Sequence, residues 1–245
     1  MPPKIIHLPE TESTNQALRI LANAGDMANK SIVWTDFQTK GRGQAGNSWE
    51  SIYGMNLLCS ILFYPPHLPA NQSFAVLELA ALTVKHTLDE YVPDISIKWP
   101  NDIYYLNHKI SGILIENEIA EGYISRSIIG IGINLNQTEF KDAPNPISLS
   151  MITNLSYNPQ IVLNQLHANF IKLADEFVSK PFDQLHQQYC DSLYLSDGFH
   201  TYNDVNGSFK ARIHSVGLSG HIILERQDGT LCRYGFKEVQ SVPSC

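Results

Sequence analysis

Residues Gln38 to Trp49 read Gln-Thr-Lys-Gly-Arg-Gly-Gln-Ala-Gly-Asn-Ser-Trp and directly follow an apolar run. Three of these residues are glycines, which permit backbone conformations and close ligand approaches that other residues do not. The stretch also contains Lys40 and Arg42, the only lysine or arginine residues between positions 30 and 85. Two cations in a glycine-rich loop predict a site for a ligand that carries negative charge.

The glycine pattern matches two known phosphate-binding motifs only in part. Gly41-x-Gly43-x-x-Gly46 has the spacing of a dinucleotide fingerprint, but that fingerprint requires a helix at its last glycine, and no helical apolar period follows here. A P-loop needs lysine and serine or threonine at the positions that Asn47 and Ser48 occupy. Both motifs are therefore excluded, and a flexible surface loop is the remaining alternative for this stretch taken alone.

The composition bounds the class of protein. With 245 residues, of which 43% are hydrophobic and 17% charged, the chain has the make-up of an ordinary globular protein. Its net charge of −7 argues against a nucleic-acid-binding protein. Its four cysteines lie far apart, which predicts reduced thiols and neither a disulfide framework nor a zinc site. We find no signal region or membrane-length apolar run, so we expect a cytoplasmic protein that binds neither DNA nor membrane.

Periodic apolar patterns predict an α+β fold. Strands are predicted at Lys4–Leu8, Ser31–Asp36 and Met55–Tyr64, from Ile95 until a stop at Pro100, and at Ile103–Tyr105, Lys109–Glu116 and Ser127–Asn136. Helices are predicted after Ser13, at Ala70–Tyr91, at Pro159–Val178 with a break at Pro181, and at Phe182–Ser192. Short strands at Phe209–Ser215, Gly220–Glu225 and Thr230–Phe236, with a tight turn at Asp228-Gly229, predict a small C-terminal all-β module. Meander-like connections favour a mixed or antiparallel sheet with flanking helices over a parallel sheet.

Polar residues cluster at the start of the first predicted helix. Ser13 with Gln16 three residues later has the pattern of a capping box. Ser13, Thr14 and Asn15 would then stand at a helix N-terminus, where free amides and hydroxyls can hold a polar, uncharged ligand group. Plain helix capping is the simpler interpretation of these residues alone.

The strand predicted at residues 127–136 has two different faces. Isoleucines at positions 129, 131 and 133 share one face, and Gly130, Gly132 and Asn134 share the other. Glycines on one face leave room for a ligand against the sheet. A closely packed helix over that face is the alternative interpretation.

Five polar or glycine-rich motifs follow one another along the chain. They are Ser13-Thr14-Asn15, Gln38-x-x-Gly41-Arg42-Gly43-x-x-Gly46-x-x-Trp49, Lys98-Trp99-Pro100-Asn101-Asp102, Lys109-x-x-Gly112-Ile113-Leu114-x-Glu116 and Gly130-Ile131-Gly132-Ile133-Asn134. Their order and spacing resemble those of biotin–protein ligases, also called biotin–[acetyl-CoA-carboxylase] ligases, over nearly the whole chain. Twelve residues precede Ser13, so we expect the monofunctional type without an N-terminal DNA-binding domain.

The resemblance implies both a fold and a reaction. Residues 1–195 would form a biotin- and ATP-binding catalytic domain like that of class II aminoacyl-tRNA synthetases, and residues 196–245 a small β-barrel of the Src-homology-3 type. The enzyme would use ATP with Mg²⁺ to convert biotin to biotinyl-5′-adenylate and pyrophosphate. It would then transfer biotin to a specific lysine of a biotin carboxyl carrier protein and release AMP. Such ligases include monomers and homodimers, and the sequence leaves that choice open.

The resemblance also assigns roles to individual residues. Biotin binding falls to Ser13, Thr14, Asn15, Gln38, Arg42, Gly43, Gln44, Lys109 and Gly112. Nucleotide binding falls to Arg42, Trp49, Asn101, Lys109 and Asn134, and catalysis to Arg42, Lys109 and Asp102. Lys109 would neutralise the carboxylate and the α-phosphate as a compact point charge, and Asp102 would orient Mg²⁺, nucleotide or the incoming lysine. Trp49 would stack on adenine or anchor the loop, and anchoring is the favoured interpretation.

One departure from the resemblance concerns the loop cations. Related loops often carry further arginines where this chain has Gln44, Ala45 and Asn47. We expect the phosphate contacts to be weaker here, or to come from another cation such as Lys40. The adenylate would then be held less tightly than in an arginine-rich relative.

Two other functions stay open from the sequence. A lipoate ligase or octanoyl transferase would share the catalytic outline. The transferase requires a reactive cysteine near the site, and the candidate, Cys59, lies within an apolar strand and is predicted to belong to the core. A non-catalytic biotin-binding module would have no use for the phosphate partners Arg42 and Lys109.

Overall fold

The computed structural model describes residues 1–179 and 182–242, apart from the side chain of Ala45. A seven-stranded sheet forms its larger part. The strands are β1 (Ile5–Thr11), β2 (Ile32–Gln38), β3 (Leu57–Phe63), β4 (Ile95–Lys98), β5 (Asp102–Tyr105), β6 (His108–Ala120) and β7 (Tyr123–Ile133). They lie in the order β1-β2-β3-β7-β6-β5-β4, in which β1 and β2 pair in parallel and the other pairs are antiparallel. The mixed sheet predicted from the sequence is therefore confirmed.

Helices cover both faces of this sheet. They are α1 (Thr14–Asn23), α2 (Phe74–Asp89), α3 (Leu149–Thr153), α4 (Pro159–Ser179) and α5 (Phe182–Asp191). Leu18 of α1 packs with Val33, Leu62 and Ile128 on one face, while α2 and α4 cover the larger core on the other. Because successive strand residues point to opposite faces, the isoleucines of β7 at positions 129, 131 and 133 face that larger core. The glycines of β7 consequently face the α1 side.

The residues after α5 form a second sheet. Its strands are β8 (His200–Asp204), β9 (Gly207–Val216), β10 (Ile222–Arg226), β11 (Leu231–Tyr234) and β12 (Gln240–Ser241). They lie in the antiparallel order β11-β10-β9-β8-β12, and within residues 182–242 no ladder joins β11 to β12. The predicted turn at Asp228-Gly229 is present, since the Arg226 amide donates to the Thr230 carbonyl at 2.9 Å. The C-terminal all-β module predicted from the sequence is thus confirmed as an antiparallel sheet.

The two sheets pack directly against each other. Trp99 Nε1 donates to the Gly220 carbonyl at 2.9 Å, and the Trp99 ring lies 5.5 Å from that of Phe236. A side-chain carbon at Gly220 would lie 2.6 Å from Phe74, so glycine permits this approach. Buried apolar residues of both sheets and of the helices form one continuous core, to which Phe74 of α2 and Leu224 of β10 belong. The domain boundary predicted between residues 195 and 196 stays a prediction.

Sequence and structure differ at element ends and at short elements. The helix predicted from Ala70 begins with a 3₁₀ turn, and α2 starts at Phe74. The sequence did not predict α3, β8 or β12: α3 and β12 are too short to establish a period, and the five residues of β8, His-Thr-Tyr-Asn-Asp, contain no alternation of apolar residues. In the described ranges no helix is both long and apolar enough to cross a membrane. The break predicted at Pro181 and the fourth cysteine, Cys245, lie outside the described residues.

Candidate active site

A cavity of about 880 Å³ opens on the α1 side of the large sheet, between the glycine-rich loop and the second sheet. Its lining includes every residue to which the sequence resemblance assigned a role, namely Ser13, Thr14, Asn15, Gln38, Arg42, Gly43, Gln44, Trp49, Asn101, Asp102, Lys109, Gly112 and Asn134. Its size is that of a small-ligand site. Residues far apart in the chain thus converge on one place, while their individual roles stay predictions.

Gln38, at the end of β2, binds the first amide of α1. Its Oε1 accepts hydrogen bonds from Thr14 N at 2.8 Å and from Thr14 Oγ1 at 3.1 Å. The Ser13 side chain makes no capping hydrogen bond, so the capping box predicted for Ser13 and Gln16 is wrong. Gln38 instead satisfies the first free amide of α1, that of Thr14, from the end of β2. The Ser13 hydroxyl lines the cavity and has no hydrogen-bond partner among the described residues, so it is available to a ligand.

Asn15 is held from two sides beside the cavity. Its Nδ2 donates to Glu116 Oε2 at 2.8 Å, and its Oδ1 accepts from Ser60 Oγ at 2.6 Å. Ser60 Oγ also lies 2.7 Å from Thr14 Oγ1. Because Asn15 is only 2% exposed, these partners fix its orientation. Ser60 was not among the site residues predicted from the sequence. Its signal in the sequence is that it is the one hydroxyl residue within the apolar strand β3.

The glycines on the α1 side of the sheet make room for protein side chains. A carbon atom added at Gly130 would lie 2.5 Å from Asn15 Oδ1. At Gly132 and Gly112 it would lie 2.4 and 2.8 Å from the ring of Trp49. The expectation that these glycines leave space for a ligand directly against the sheet needs correction. They line the cavity, but Asn15 and Trp49 fill the space closest to them, and ligand space begins beyond these side chains.

Trp49 anchors the glycine-rich loop to the sheet. Its backbone N donates to Gly41 O at 3.0 Å, and Gly43 N donates to Asn47 O at 2.7 Å, so the loop folds back on itself. A side chain at Gly41 would approach Trp49 O to 2.6 Å, which requires glycine there. The buried Trp49 Nε1 has no hydrogen-bond partner in the part of the chain described. This geometry agrees with the favoured anchoring interpretation.

Two cations of the cavity are neutralised by carboxylates. Arg42 lies 3.3 Å from Glu116, and Lys109 lies 2.7 Å from Asp102. Glu116 also pairs with Arg19 at 3.0 Å. These pairs are partly exposed to solvent, where ion pairs contribute little net stability. An anionic ligand can therefore displace the carboxylates from Arg42 and Lys109.

Lys40 does not supply the cation that the loop lacks. Its Nζ lies 2.7 Å from Glu12, its side chain is 69% exposed, and it does not line the cavity. The expectation that Lys40 replaces the arginines absent at positions 44, 45 and 47 is therefore wrong. The physical reason lies in the backbone, because the Lys40 amide donates to the Glu12 carbonyl at 2.9 Å and sets the two side chains next to each other.

Lys98, at the end of β4, is a further cation that lines the cavity. Its Nζ donates to the Tyr104 hydroxyl at 3.1 Å and lies 4.8 Å from the centre of the Tyr104 ring. Burial lowers the pKa of Lys98; the Asp102 carboxylate opposes this and raises the pKa, whereas the positive charge of Lys109 lowers it further. Lys98 belongs to the motif Lys98–Asp102, but no role was predicted for it from the sequence.

Asn101 and Asn134 support the cavity wall. Asn101 Nδ2 donates to Ile113 O at 2.7 Å, and Asn134 Nδ2 donates to Ile147 O at 3.0 Å. Both asparagines are buried. One N–H of each side-chain amide is engaged, so a contact between either residue and a nucleotide would use the second N–H or the side-chain oxygen.

The cavity offers a carboxylate to a metal ion but no complete cage. No group of three or more His, Cys, Asp or Glu residues that could hold a metal occurs in the ranges the structure describes. Asp102 binds Lys109 through Oδ1 and has a second oxygen. Mg²⁺ is commonly held by one or two carboxylates together with substrate phosphates. The residues present therefore fit a Mg²⁺ ion that arrives with the nucleotide.

The sequence profile of the biotin/lipoate A/B protein ligase family matches residues 8–134, just over half of the chain. The chain belongs to this family. It is similar to the bifunctional ligase/repressor BirA of Bacillus subtilis, with 29% identity over 92% of this chain and 70% of that protein. It is also similar to the biotin–[acetyl-CoA-carboxylase] ligase of Mycobacterium tuberculosis, with 30% identity over 57% of this chain and 52% of that protein.

Solved structures of biotin protein ligases share the fold of this family member. The biotin protein ligase from Aquifex aeolicus in complex with biotin and ATP has a TM-score of 0.78 and 24% sequence identity, and the match covers 98% of this chain and 99% of that chain. The Leishmania major enzyme in complex with biotinyl-5-AMP has a TM-score of 0.68 at 22% identity over 96% of this chain and 100% of that chain. The predicted fold class is thereby confirmed.

Within this ligase fold, Cys59 lies away from the cavity. It is 1% exposed and belongs to the core on the opposite face of the sheet from α1. Burial raises its pKa to about 12. A reactive cysteine requires access and a lowered pKa, so Cys59 is a packing residue. This argues against the acyl transferase alternative.

Proposed function

We propose that this chain is a biotin–protein ligase, which adenylates biotin with ATP and transfers it to a lysine of a biotin carboxyl carrier protein. The observation that carries the proposal is that uncharged polar residues, Ser13 to Asn15, and two cations, Arg42 and Lys109, line one cavity. The ureido head of biotin needs neutral donors and acceptors, whereas its carboxylate and the phosphates of ATP need cations. The ring of lipoate has no ureido group and would leave the polar end of the cavity without hydrogen-bond partners.

The proposed roles follow the contacts of each residue. Around the biotin head and chain we place Ser13, Thr14, Asn15, Gln38, Gly43, Gln44 and Gly112. Against the nucleotide we place Trp49, Asn101 and Asn134. We assign Arg42 and Lys109 to the point between the two groups, where the carboxylate would meet the α-phosphate. We expect the reaction to take place in the cytoplasm.

The adenylation step brings two anions together. A carboxylate oxygen of biotin attacks the α-phosphorus of ATP, the new O–P bond forms, and the bond to the bridging oxygen breaks with release of pyrophosphate. Arg42 and Lys109 leave their carboxylate partners and bind the substrates, which reduces the repulsion between them. Positioning and charge neutralisation supply the catalysis, so no protein nucleophile takes part. When bound, Mg²⁺ supplies further neutralisation of the phosphates, with Asp102 as the residue that would hold it.

The transfer step consumes the adenylate. The amine of the carrier lysine attacks the carbonyl carbon of the mixed anhydride, an amide forms, and AMP leaves. The amine must lose a proton before or during attack. We assign this role to Asp102, which lines the cavity and is paired with Lys109; when Lys109 turns to the adenylate, the freed carboxylate can orient the amine and accept that proton.

The proposal is tested by incubating the protein with ATP, Mg²⁺, biotin and an apo carrier domain, and by measuring the mass of the carrier. We expect ATP-dependent addition of a single biotinyl group to a lysine, and no addition when lipoate replaces biotin. Addition of lipoate but not biotin would identify a lipoate ligase instead. Binding of biotin without modification of the carrier would indicate a non-catalytic module.

A further inference from the structure

Lys98 differs from Arg42 and Lys109 in its partners. Arg42 and Lys109 each pair with a carboxylate, whereas Lys98 makes no ion pair with any residue that the structure describes. The Lys98 ammonium is held by the hydroxyl and the ring of Tyr104. Asp102 lies opposite Lys98 across β4 and β5 but is bound to Lys109, so the partly buried Lys98 ammonium has no carboxylate within ion-pair distance. An anion in the cavity would supply the missing partner.

The position of Lys98 in the sheet indicates which anion this is. The uncharged pocket at Ser13 to Asn15 lies where α1 contacts β3 and β7, while Lys109 is on β6, Asp102 on β5 and Lys98 on β4. These neighbouring strands lie about 4.8 Å apart. The cavity therefore runs from the uncharged pocket, past Lys109, to Lys98.

The geometry of phosphoryl transfer fits this order. The attacking and leaving oxygens lie roughly in line on opposite sides of the phosphorus. With biotin on the α1 side and the α-phosphorus at Lys109, the leaving group points across β5 towards Lys98. The leaving group of adenylation is pyrophosphate, which carries several negative charges and therefore needs cationic partners.

We propose that Lys98 binds the β- and γ-phosphates of ATP and the pyrophosphate that they become. This inference rests on the proposed function. It also identifies a cation outside the loop that can contact the phosphates, in place of the arginines that the loop lacks at positions 44, 45 and 47. When the bond between the α-phosphorus and the bridging oxygen breaks, the electron pair goes to pyrophosphate. Lys98 Nζ donates a hydrogen bond to the departing group and keeps its proton.

The second sheet closes the same end of the cavity. Lys237 lines the cavity, and its neighbour Phe236 packs on Trp99, which directly follows Lys98. A second cation thus faces the phosphate region from the β-module. Any loosening of this interface would weaken nucleotide binding more than biotin binding.

The test compares Lys98→Gln with Lys85→Gln. Lys85 is a matched control because it is a partly buried lysine of α2, paired with Asp89 and outside the cavity. For each protein we would measure product inhibition of adenylation by inorganic pyrophosphate against ATP. We expect the inhibition constant to rise on the order of tenfold to a hundredfold in Lys98→Gln, the range for loss of a hydrogen bond to a charged group. Lys85→Gln should match the parent protein.

Further readouts separate phosphate binding from a structural role. Biotin affinity and the rate of transfer from pre-formed biotinyl-adenylate should not change in Lys98→Gln, and Lys98→Arg should recover much of the pyrophosphate affinity. Unchanged inhibition by pyrophosphate in Lys98→Gln, or a loss confined to the transfer step, would overturn the inference. Failure of the parent protein to release pyrophosphate from biotin and ATP would instead remove the proposed function.

A second measurement does not depend on the folding of the glutamine variant. Lysines of the parent protein can be reductively methylated with a ¹³C label, and the Lys98 resonance assigned by comparison with Lys98→Arg. Titration with inorganic pyrophosphate should shift the Lys98 resonance and leave that of Lys85 in place. A stationary Lys98 resonance at saturating pyrophosphate contradicts the proposal.

Discussion

Contacts at single residues set the geometry of this cavity. The ring of Trp49 lies where a side chain at Gly132 would begin, and Glu116 holds both Arg42 and Asn15. The uncharged pocket and the loop therefore share one carboxylate. When substrate anions draw Arg42 away, Glu116 keeps its bonds to Asn15 and Arg19. The pocket for the biotin head can thus stay ordered while the loop moves.

Gly132→Ala should destabilise the protein and disturb the loop. The added carbon would lie 2.4 Å from the Trp49 ring, so the ring must move or the sheet must strain. We expect the free energy of unfolding to fall by about 1–3 kcal/mol in urea titrations, with weaker nucleotide binding. Gly217→Ala is the control, because its nearest neighbour would lie 3.9 Å away. Equal stabilities of the two variants would contradict the close packing of Trp49 on β7.

Lys109→Gln should slow adenylation far more than it affects biotin binding. Lys109 is proposed to neutralise charge where the carboxylate meets the α-phosphate, and loss of one such group costs about a hundredfold or more in rate. Pyrophosphate release from ATP and biotin measures the effect. Lys85→Gln provides the control. A Lys109→Gln protein that adenylates at the parent rate would remove Lys109 from the reaction.

Gln44→Arg should make the protein hold biotinyl-adenylate longer. Gln44 lines the cavity at a position where related loops often carry arginine, and a new charge-assisted hydrogen bond to the phosphate would slow dissociation on the order of tenfold. The dissociation rate of the adenylate measures this, with Gln44→Asn as the uncharged control. The expectation of weak retention would be refuted if the adenylate already dissociates slowly from the parent protein and Gln44→Arg does not change that dissociation rate.

At the scale of elements, a buried ion pair joins α5 to α2 next to the second sheet. His186 Nδ1 lies 2.7 Å from Glu78 Oε1, and the Glu78 side chain is fully buried. The hydrogen bond that His186 donates to Glu78 raises the pKa of His186, and burial raises the pKa of Glu78. Cys190 Sγ lies 3.6 Å from His186 Nε2, and burial raises its pKa to about 11, so it stays protonated near neutrality.

The His186–Glu78 pair should make stability fall as pH rises. Both raised pKa values mean that the folded protein binds protons more readily than the unfolded chain, so stability decreases with pH. For His186 the contribution is complete below its unfolded pKa of about 6.5 and is lost as pH rises through the raised folded value. Urea unfolding of the parent and His186→Gln proteins should differ most at pH 6 and least at about pH 9. His214→Gln, at an exposed histidine, is the control, and a difference that does not vary with pH would disprove this linkage.

At the scale of the whole molecule, the two sheets share one hydrophobic core and both line the cavity. Trp99 links them through its bond to Gly220 and its contact with Phe236. Because Trp99 lies next to Lys98, the same contact that joins the sheets also positions the far end of the site. The second sheet thus contributes both to the shared core and to the wall of the cavity.

The shared core predicts a single unfolding transition. Unfolding of the β-module alone would expose Phe74 and its neighbours to water, which disfavours a half-folded state. Calorimetry should give one transition whose van't Hoff and calorimetric enthalpies agree. Two separated transitions, or early loss of the second sheet, would show that the module is an independent folding unit.

Much of the fold and of the candidate site could be predicted from the sequence because the relevant signals are local. Alternating apolar residues predicted the strands of the large sheet, and the turn at Asp228-Gly229 predicted a hairpin. Strands β8 and β12 were not predicted, because β8 has no alternation of apolar residues and β12 contains two residues. Residue types also indicated the chemistry, since neutral hydroxyls and amides suit a ureido group and a loop with Arg42 suits an anion.

The partners of these side chains required the folded chain. Asn15 and Glu116 are 101 positions apart, and no local pattern relates them. The folded structure shows that Gln38 binds the first amide of α1, that Lys40 pairs with Glu12, and that Lys98 lines the cavity. The physical reason is that periodicity records which face of an element is buried, whereas a hydrogen bond or ion pair depends on where two elements meet in space.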